Sequence, residues 1–186
     1  MLFTFSPLTS TNWNDFVELF GDKGACGGCW CMTWRFKAAD YNKQKGEGNK
    51  QAMKRLLRKS SPGIIAYNSS KAVGWCAVAP RSEYTRLETS RVLKPVDDNK
   101  VWSVSCFFIH KQYRQKGLSI ELLKAAIDFA ISKGAKIIEG YPVDHGKGKM
   151  PDVFAWTGFS SIFIKTGFKE VERRSGSRPI MRYYKN

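Results

Sequence analysis

Acidic residues are scarce in this sequence. Its 186 residues include 16 Asp and Glu against 31 Lys and Arg, which gives a net charge of +15. A charge this high is typical of proteins that bind nucleic acids or other polyanions. A solvated basic surface that also receives an anionic cofactor produces the same composition. Because the basic residues are scattered, with denser runs only at 50–59 and 173–182, we favour the second interpretation and keep a nucleic-acid-associated protein as an alternative.

Long hydrophobic runs are also missing. No apolar segment approaches the ~20 residues that span a bilayer, and the N-terminus lacks the basic and apolar regions of a signal peptide. We therefore expect no membrane association and a cytoplasmic location. The hydrophobic content of 42%, with 13% aromatic residues, predicts a folded chain. A chain of this length suits one domain over residues 1–186.

Cysteine is present in an odd number, which argues against a disulfide framework in a chain without a secretion signal. The five cysteines are Cys26, Cys29, Cys31, Cys76 and Cys106. The spacing of the first three suits thiolate ligands of zinc, but a structural zinc site normally takes four ligands. We therefore predict no metal site and retain zinc as an alternative, in which Cys76 or Cys106 completes the set.

The most informative segment is an apolar run followed by a basic turn and a helix. The run Val101–Ile109 is rich in Val, Ile and aromatic residues and predicts a buried central strand. Helical spacing begins at Ile120 and ends at Gly134. Such a connection presents unpaired N–H groups and the positive end of a helix dipole, which favour a bound anion. The alternative is a plain connection with solvated basic residues.

The remaining elements follow from periodicity and turn residues. The expected elements are helices over 12–20 and 50–58, a hairpin of 64–67 and 72–78, a strand over 135–141, a helix over 157–166, and a hairpin of 168–173 and 179–184. Ser10 or Thr11 is expected to cap the first helix and Thr157 the last one. Segment 37–48 is expected to be irregular or a fraying helix. Strands 101–109 and 135–141 should be parallel, because a helix connects them.

Two motifs resemble those of the GNAT superfamily of acetyl-CoA-dependent N-acetyltransferases. Arg114-Gln-Lys-Gly117-Leu-Ser119 resembles the family's Gln/Arg-x-x-Gly-x-Gly/Ala pyrophosphate loop, with Ser at its last position. Gly158-x-x-x-x-Phe163-x-x-x-Gly167-Phe168 resembles its C-terminal motif. The element order matches over most of the chain, least over 22–47, where the segment CGGCWCMTWR suggests a subfamily. The resemblance implies an α/β (α+β) fold with a mixed, mostly antiparallel sheet flanked by helices, in which parallel strands four and five splay apart.

The resemblance also implies a function, direct transfer of the acetyl group of acetyl-CoA to a primary amine of a small-molecule or peptide acceptor. Backbone groups of Phe107 and Ile109 would bind the pantetheine arm. The pyrophosphate would be held by the loop residues Arg114, Gln115, Lys116, Gly117, Leu118 and Ser119. A non-catalytic acyl-CoA-binding relative is the alternative, and a homodimer stays open because proteins of this family commonly dimerise.

The catalytic residues usual in this family are absent. Ser103 and Ser105 replace the strand-four Glu or His base, and Phe163 replaces the Tyr acid. Glu139 and Tyr141 are two apart and share a strand face, so we predict Glu139 as general base and Tyr141 as general acid. The alternative is that Glu139 pairs with a buried Arg and Tyr141 is a wall residue.

Other reactive groups lie near these positions in the expected fold. Asp144 and His145 follow strand five, and Cys106 is an alternative nucleophile for an acyl-enzyme route. By resemblance, the loop after the first helix helps to wall the acceptor site. Its aromatic residues Trp30 and Trp34 would then shape a pocket or a stacking surface.

Overall fold

A single seven-stranded sheet forms the centre of the structure, a computed structural model that describes residues 2–144 and 156–185. The strands are β1 (Thr4–Pro7), β2 (Gly63–Asn68), β3 (Lys71–Pro80), β4 (Trp102–Ile109), β5 (Ile137–Gly140), β6 (Lys169–Arg173) and β7 (Pro179–Tyr184). Their order across the sheet is β1-β2-β3-β4-β5-β7-β6, and only β4 and β5 are parallel. The predicted fold class is confirmed by this arrangement.

Helices cover both faces of the sheet. The α-helices in the described residues are α1 (Trp13–Phe20), α2 (Ala38–Lys43), α3 (Glu47–Leu56), α4 (Thr85–Glu88), α5 (Leu118–Ser132) and α6 (Ser160–Lys165). None of them is long and apolar enough to cross a membrane.

The long helix α5 packs on β2, β3 and β4 through one apolar face. Its buried residues recur every three to four positions, as a helix lying on a sheet requires. They are Leu118, Leu122, Leu123, Ala126, Ile127 and Ala130. Each buried Leu contributes roughly 2 kcal/mol to folding, so this face fixes α5 and the loop before it. On the opposite face, α1 packs against Trp75 through Phe16 and Phe20.

Three local predictions differ from the structure. Strand β1 was not predicted, because four residues at a sheet edge carry almost no periodic signal. The N-cap residue of α1 is Asn12, not Ser10 or Thr11. Thr157 does not cap the last helix, because α6 begins at Ser160 and its N-cap residue is Phe159; Oγ1 of Thr157 accepts a hydrogen bond of 2.9 Å from Arg178. Segment 37–48 contains α2, in agreement with its helical alternative.

Strand β4 carries the irregularity that creates the site. Ala77 of β3 pairs with Cys106, whereas Val78 pairs with Val104, so Ser105 is the extra residue of a β-bulge. Pairing between β4 and β5 stops at Val104 and Gly140, although β4 continues to Ile109. The two parallel strands therefore separate directly after the bulge.

Candidate active site

A cavity of about 410 Å³ lies where β4 separates from β5. It is lined by Ala25, Cys26, Phe107, Phe108, Ile109, Arg114, Gln115, Ser119, Trp156, Gly158, Phe159 and Ile162. These residues come from four places in the chain: the loop after α1, the end of β4, the turn into α5, and the segment around α6. Most of the lining is apolar or aromatic, and the polar side chains are concentrated at the turn into α5. A cavity of this size and composition suits an elongated ligand with one charged end.

The turn into α5 forms a cradle of backbone N–H groups. Gln115 and Gly117 both have left-handed backbone conformations, with φ of 59° and 79°, and Gly117 is the N-cap of α5. No N–H group from Gln115 to Ser119 donates a hydrogen bond to another described residue. Left-handed residues before a helix N-terminus turn successive N–H groups towards one point, where an anion binds well.

The predicted cofactor residues divide into two groups. Phe107, Ile109, Arg114, Gln115 and Ser119 line the cavity. Lys116, Gly117 and Leu118 do not belong to the lining residues: the Leu118 side chain is buried in the core, and the Lys116 ammonium lies 5.6 Å from the centre of the Tyr113 ring. These three residues would therefore bind the cofactor through their backbone N–H groups and not through their side chains.

Two backbone groups predicted to bind pantetheine already have partners. The N–H of Phe107 donates a hydrogen bond of 2.6 Å to the carbonyl oxygen of Trp156. The carbonyl oxygen of Ile109 accepts a bond of 3.1 Å from Nε of Arg114. A ligand that binds the Phe107 N–H has to displace the Trp156 carbonyl, whereas the Ile109 carbonyl oxygen can still accept a second hydrogen bond.

Glu139 and Tyr141 meet as the strand pattern predicted. The Tyr141 hydroxyl donates a hydrogen bond of 2.6 Å to Oε1 of Glu139 and lies 2.8 Å from Oγ of Ser103. Both side chains are fully buried, and neither lines the cavity. Burial and the neighbouring Glu139 carboxylate raise the pKa of Tyr141 well above its usual value.

Two arginines surround the Glu139 carboxylate. Nη1 of Arg81 lies 2.9 Å from Oε1, and Nε of Arg182 lies 2.8 Å from Oε2. Arg182 also holds Asp97 in a two-point ion pair and lowers the pKa of that carboxyl below its usual range. Glu139 therefore has the buried arginine partners that the structural alternative anticipated, in addition to Tyr141.

The loop after α1 closes the cavity with an unusual backbone. Ala25, Trp30 and Cys31 have positive φ values of 67°, 42° and 56°, which cost energy in residues other than glycine. Tertiary contacts hold this conformation: the Trp30 ring stacks on Phe20 at 5.6 Å. The loop thereby places the exposed Cys26 at the cavity.

The thiol of Cys31, in the same loop, is buried in the core. Nε1 of Trp75 donates a hydrogen bond of 3.2 Å to Sγ of Cys31. Burial alone would raise the pKa of Cys31, but hydrogen bonds from Cys106 and Trp75 and the charge of Arg35 lower it overall. The described residues contain no group of three or more His, Cys, Asp or Glu side chains suited to a metal ion.

Several polar atoms behind the cavity lack partners. Nε1 of Trp34 and Nη2 of Arg35 are buried without a hydrogen bond among the described residues. The hydroxyls of Tyr84 and Ser105 interact with each other electrostatically, but neither forms a hydrogen bond of good geometry. The Trp34 ring lies 5.6 Å from that of Trp156, which places Trp34 beside the cavity, and the Arg35 guanidinium lies 4.7 Å from the centre of the Tyr84 ring. Buried polar atoms of this kind normally bind a water molecule or a ligand.

A known protein family matches more than half of this chain. Residues 29–145 match the model of the acetyltransferase (GNAT) family. The chain belongs to this family. A search of curated protein sequences found no significant match.

Solved structures with the GNAT fold resemble the whole chain. The PaiA N-acetyltransferase of Thermoplasma acidophilum, solved with coenzyme A, is 16% identical, covers 100% of both chains and has a TM-score of 0.57. A GNAT acetyltransferase of Listeria monocytogenes is 9% identical with a TM-score of 0.60, over 98% of this chain and 94% of that one. The yncA protein of Salmonella typhimurium, solved with acetyl-CoA, is 11% identical with a TM-score of 0.54, over 98% and 93%. At these identities the likeness shows the fold.

Phe163, which the sequence motif predicted to stand in place of the usual GNAT tyrosine, is a core residue. Its ring is fully buried and packs so closely on Gly140 that a Cβ there would lie 2.1 Å from the ring. It also contacts Phe107 and Phe168 edge-on, with ring centres 6.2 Å and 5.0 Å away. Phe163 therefore packs α6 against the ends of the parallel strands, and its side chain has no proton to donate.

Several residues in or near the candidate site were not predicted from the sequence. Trp156, Arg81 and Tyr84 were not singled out, although an Arg directly after a buried strand is a signal for a buried ion pair. Cys26 was considered as a zinc ligand and not as a cavity residue. Asp144 forms a surface ion pair of 2.9 Å with Arg173, and His145 lies outside the described residues.

Proposed function

We propose that residues 1–186 act as one N-acetyltransferase domain that transfers the acetyl group of acetyl-CoA directly to a primary amine. The observation that carries this proposal is the cavity at the separation of β4 and β5, with the N–H cradle of Gln115–Ser119 at one end. The family assignment supports the reaction class, since it is an acetyltransferase family. Two structural relatives solved with coenzyme A or acetyl-CoA support the choice of cosubstrate.

The cavity matches the chemistry of the cofactor from one end to the other. The cradle would hold the pyrophosphate, because it combines unpaired N–H groups, a helix N-terminus and the Arg114 guanidinium. The apolar walls made by Phe107 and Ile162 would contact the pantetheine arm. The acetyl group would then lie near the bulge at Ser105, on the side of the cavity walled by Cys26 and Trp156.

Acetyl transfer requires a neutral amine, a polarised carbonyl and a stabilised thiolate. Orientation of the two reactants in a closed cavity would supply part of the rate acceleration. We propose that Glu139 and Tyr141 transfer the protons of this reaction, Glu139 as general base and Tyr141 as general acid. Tyr141 lies next to β4, and Glu139 lies behind Tyr141. Their mutual hydrogen bond of 2.6 Å gives a direct path between the two groups, whereas their burial and the two arginines on Glu139 favour the structural alternative.

The acceptor would enter on the side of Trp34 and Trp156. Their rings lie 5.6 Å apart at an angle of 34° and form an aromatic wall, and the polar atoms of Arg35, Tyr84 and Ser105 lie behind it. This side could receive a small-molecule or peptide amine. We propose the hydroxyls of Tyr84 and Ser105 as the alternative proton carriers if the first pair proves structural.

Calorimetric titration with acetyl-CoA is the primary test. Wild-type protein should bind acetyl-CoA and coenzyme A in the micromolar range, and a panel of primary amines should then reveal turnover. Glu139→Gln and Tyr141→Phe should each lower kcat while cofactor affinity is retained. Unchanged kcat in both variants would remove the catalytic assignment. Cofactor binding without turnover of any amine would favour the non-catalytic acyl-CoA-binding alternative, and absence of binding would remove the proposal.

A further inference from the structure

A second cavity lies away from the active site, on the surface of α3. We call it the basic groove; it has a volume of about 410 Å³ and is lined by Ser10, Gln51, Lys54, Arg55, Leu57 and Arg58. It runs between the last turn of α3 and the segment that leads into α1. The two cavities share no lining residue, so the cofactor site does not account for the groove.

Positive charge in the basic groove is not balanced by the protein. Three of its six lining side chains are cationic and none is acidic. The guanidinium groups of Arg55 and Arg58 are exposed and form no ion pair or hydrogen bond with any described residue. In contrast, Arg81, Arg173 and Arg182 all form ion pairs with carboxylates.

The spacing of these cations makes them repel one another. Lys54 and Arg55 lie in the last turn of α3, and Arg58 follows the end of that helix, so three like charges come together on one surface. The helix dipole favours cations in the last turn. It would favour them equally on any side of the helix, so it does not explain why these cations gather at a concave surface. Convergence of three cations on one groove therefore indicates an anionic ligand.

We propose that the basic groove binds the phosphate groups of a polyanionic ligand. Guanidinium groups bind phosphate with two parallel hydrogen bonds, and Arg55 and Arg58 provide two such groups on one wall. The Lys54 ammonium lies 5.9 Å from the centre of the Trp13 ring and adds a point charge beside them. The volume corresponds to a ligand of nucleotide size. This binding site is additional to the proposed acetyltransferase function and does not depend on it.

The phosphate groups could come from a free nucleotide or from a nucleic acid backbone, and the experiment separates these sources. Calorimetry would titrate inorganic pyrophosphate and ADP into protein saturated with coenzyme A, so that the cofactor cradle is filled. Fluorescence anisotropy would follow a labelled 12-nucleotide single-stranded RNA. The variant is Arg55→Gln/Arg58→Gln. The control is Arg91→Gln/Lys100→Gln, which removes the same charge from two exposed residues outside both cavities.

We expect pyrophosphate to bind wild-type and control protein, and the variant to bind at least tenfold more weakly. If RNA is the source, the variant should also weaken RNA binding, and the slope of log K against log salt should fall by about 1.4 for two lost contacts. If a nucleotide is the source, ADP affinity should fall while RNA binding stays equal in variant and control. Equal binding of pyrophosphate by variant and control, or no binding by wild-type protein, would overturn the proposal. Thermal unfolding of all proteins confirms that folding is unchanged.

Discussion

The hydroxyl of Tyr141 donates a hydrogen bond of 2.6 Å to Oε1 of Glu139 while it contacts Ser103 on the neighbouring strand. This relationship joins β4 to the end of β5 immediately before the two strands separate. Arg81 and Arg182 complete the network from the other side. The buried charges therefore lie at the point where the sheet opens, and they have a structural consequence that can be measured.

Glu139→Gln should destabilise the protein strongly. Removal of the carboxylate leaves two buried guanidinium groups without their shared anion, and breaking a buried pair costs about 3–5 kcal/mol. Asp97 and Glu88 still contact Arg182 and Arg81, so we expect the lower end of this range. Tyr141→Phe removes only a hydroxyl and should cost roughly 1–3 kcal/mol. Urea unfolding measures both values, and a Glu139→Gln variant as stable as wild type would contradict this network.

Gly117→Glu should abolish cofactor binding without loss of the fold. Its φ is +79° and a Cβ would meet no atom within 4 Å, so the side chain costs only about 1–2 kcal/mol of backbone strain and places a carboxylate in the anion cradle. Gly134→Glu is a matched control at the other end of α5, with φ of +89° and the same open space. Acetyl-CoA affinity, measured by calorimetry, should fall at least tenfold in the first variant only. An equal loss in both would show that the effect is structural.

Cys26 should be the fastest-reacting thiol of the native protein. It is exposed, Cys29 is partly buried, and the other three cysteines are buried; burial also raises the pKa of Cys29 above its usual value. Iodoacetamide labelling followed by mass spectrometry should modify Cys26 first, and acetyl-CoA should protect it because Cys26 lines the cavity. Protection should disappear in Gly117→Glu. Fast labelling that acetyl-CoA does not change would separate Cys26 from the cofactor site.

His110 should titrate below the usual pKa of a histidine. Burial lowers its pKa first, and the positive charges of Lys71, Lys111 and Arg114 lower it further. The unfolded chain binds this proton more readily than the folded protein. The contribution of His110 to the free energy of unfolding is therefore fully present above about pH 6.5, and it is lost as the pH falls through the lower pKa of the folded state. The free energy of unfolding should fall more steeply between pH 7 and pH 5 in wild-type protein than in His110→Gln. The chain has only two histidines, so NMR can follow the imidazole directly.

Local sequence patterns predicted the elements that form the candidate cofactor site. The apolar run of β4, the Gly117 turn and the periodic face of α5 are contiguous, so their positions follow from spacing along the chain. Two motifs and the element order then identified the family. These features are local, and long-range packing changed their ends by only a few residues.

Contacts between distant residues could not be derived in the same way. Arg182 reaches Asp97 across 85 positions of the sequence, and Arg81 reaches Tyr141 across 60. The place of Cys26 at the cavity depends on left-handed backbone in the loop, which stacking of Trp30 stabilises. Such arrangements depend on tertiary structure, because no propensity of Ala, Trp or Cys favours positive φ.

The hydrogen bond from the Phe107 N–H to the Trp156 carbonyl links cofactor uptake to the wall of the cavity. The chain itself takes the place of a ligand at this N–H group, which is one of the backbone groups predicted to hold pantetheine. If that prediction holds, uptake is an exchange of partners and not the filling of an empty donor. Part of the binding energy is then spent on releasing Trp156, and the side wall of the acceptor site shifts as the cofactor arrives. Order of substrate addition would follow from this coupling: the cofactor first, then the amine, into a site that the first ligand has helped to shape.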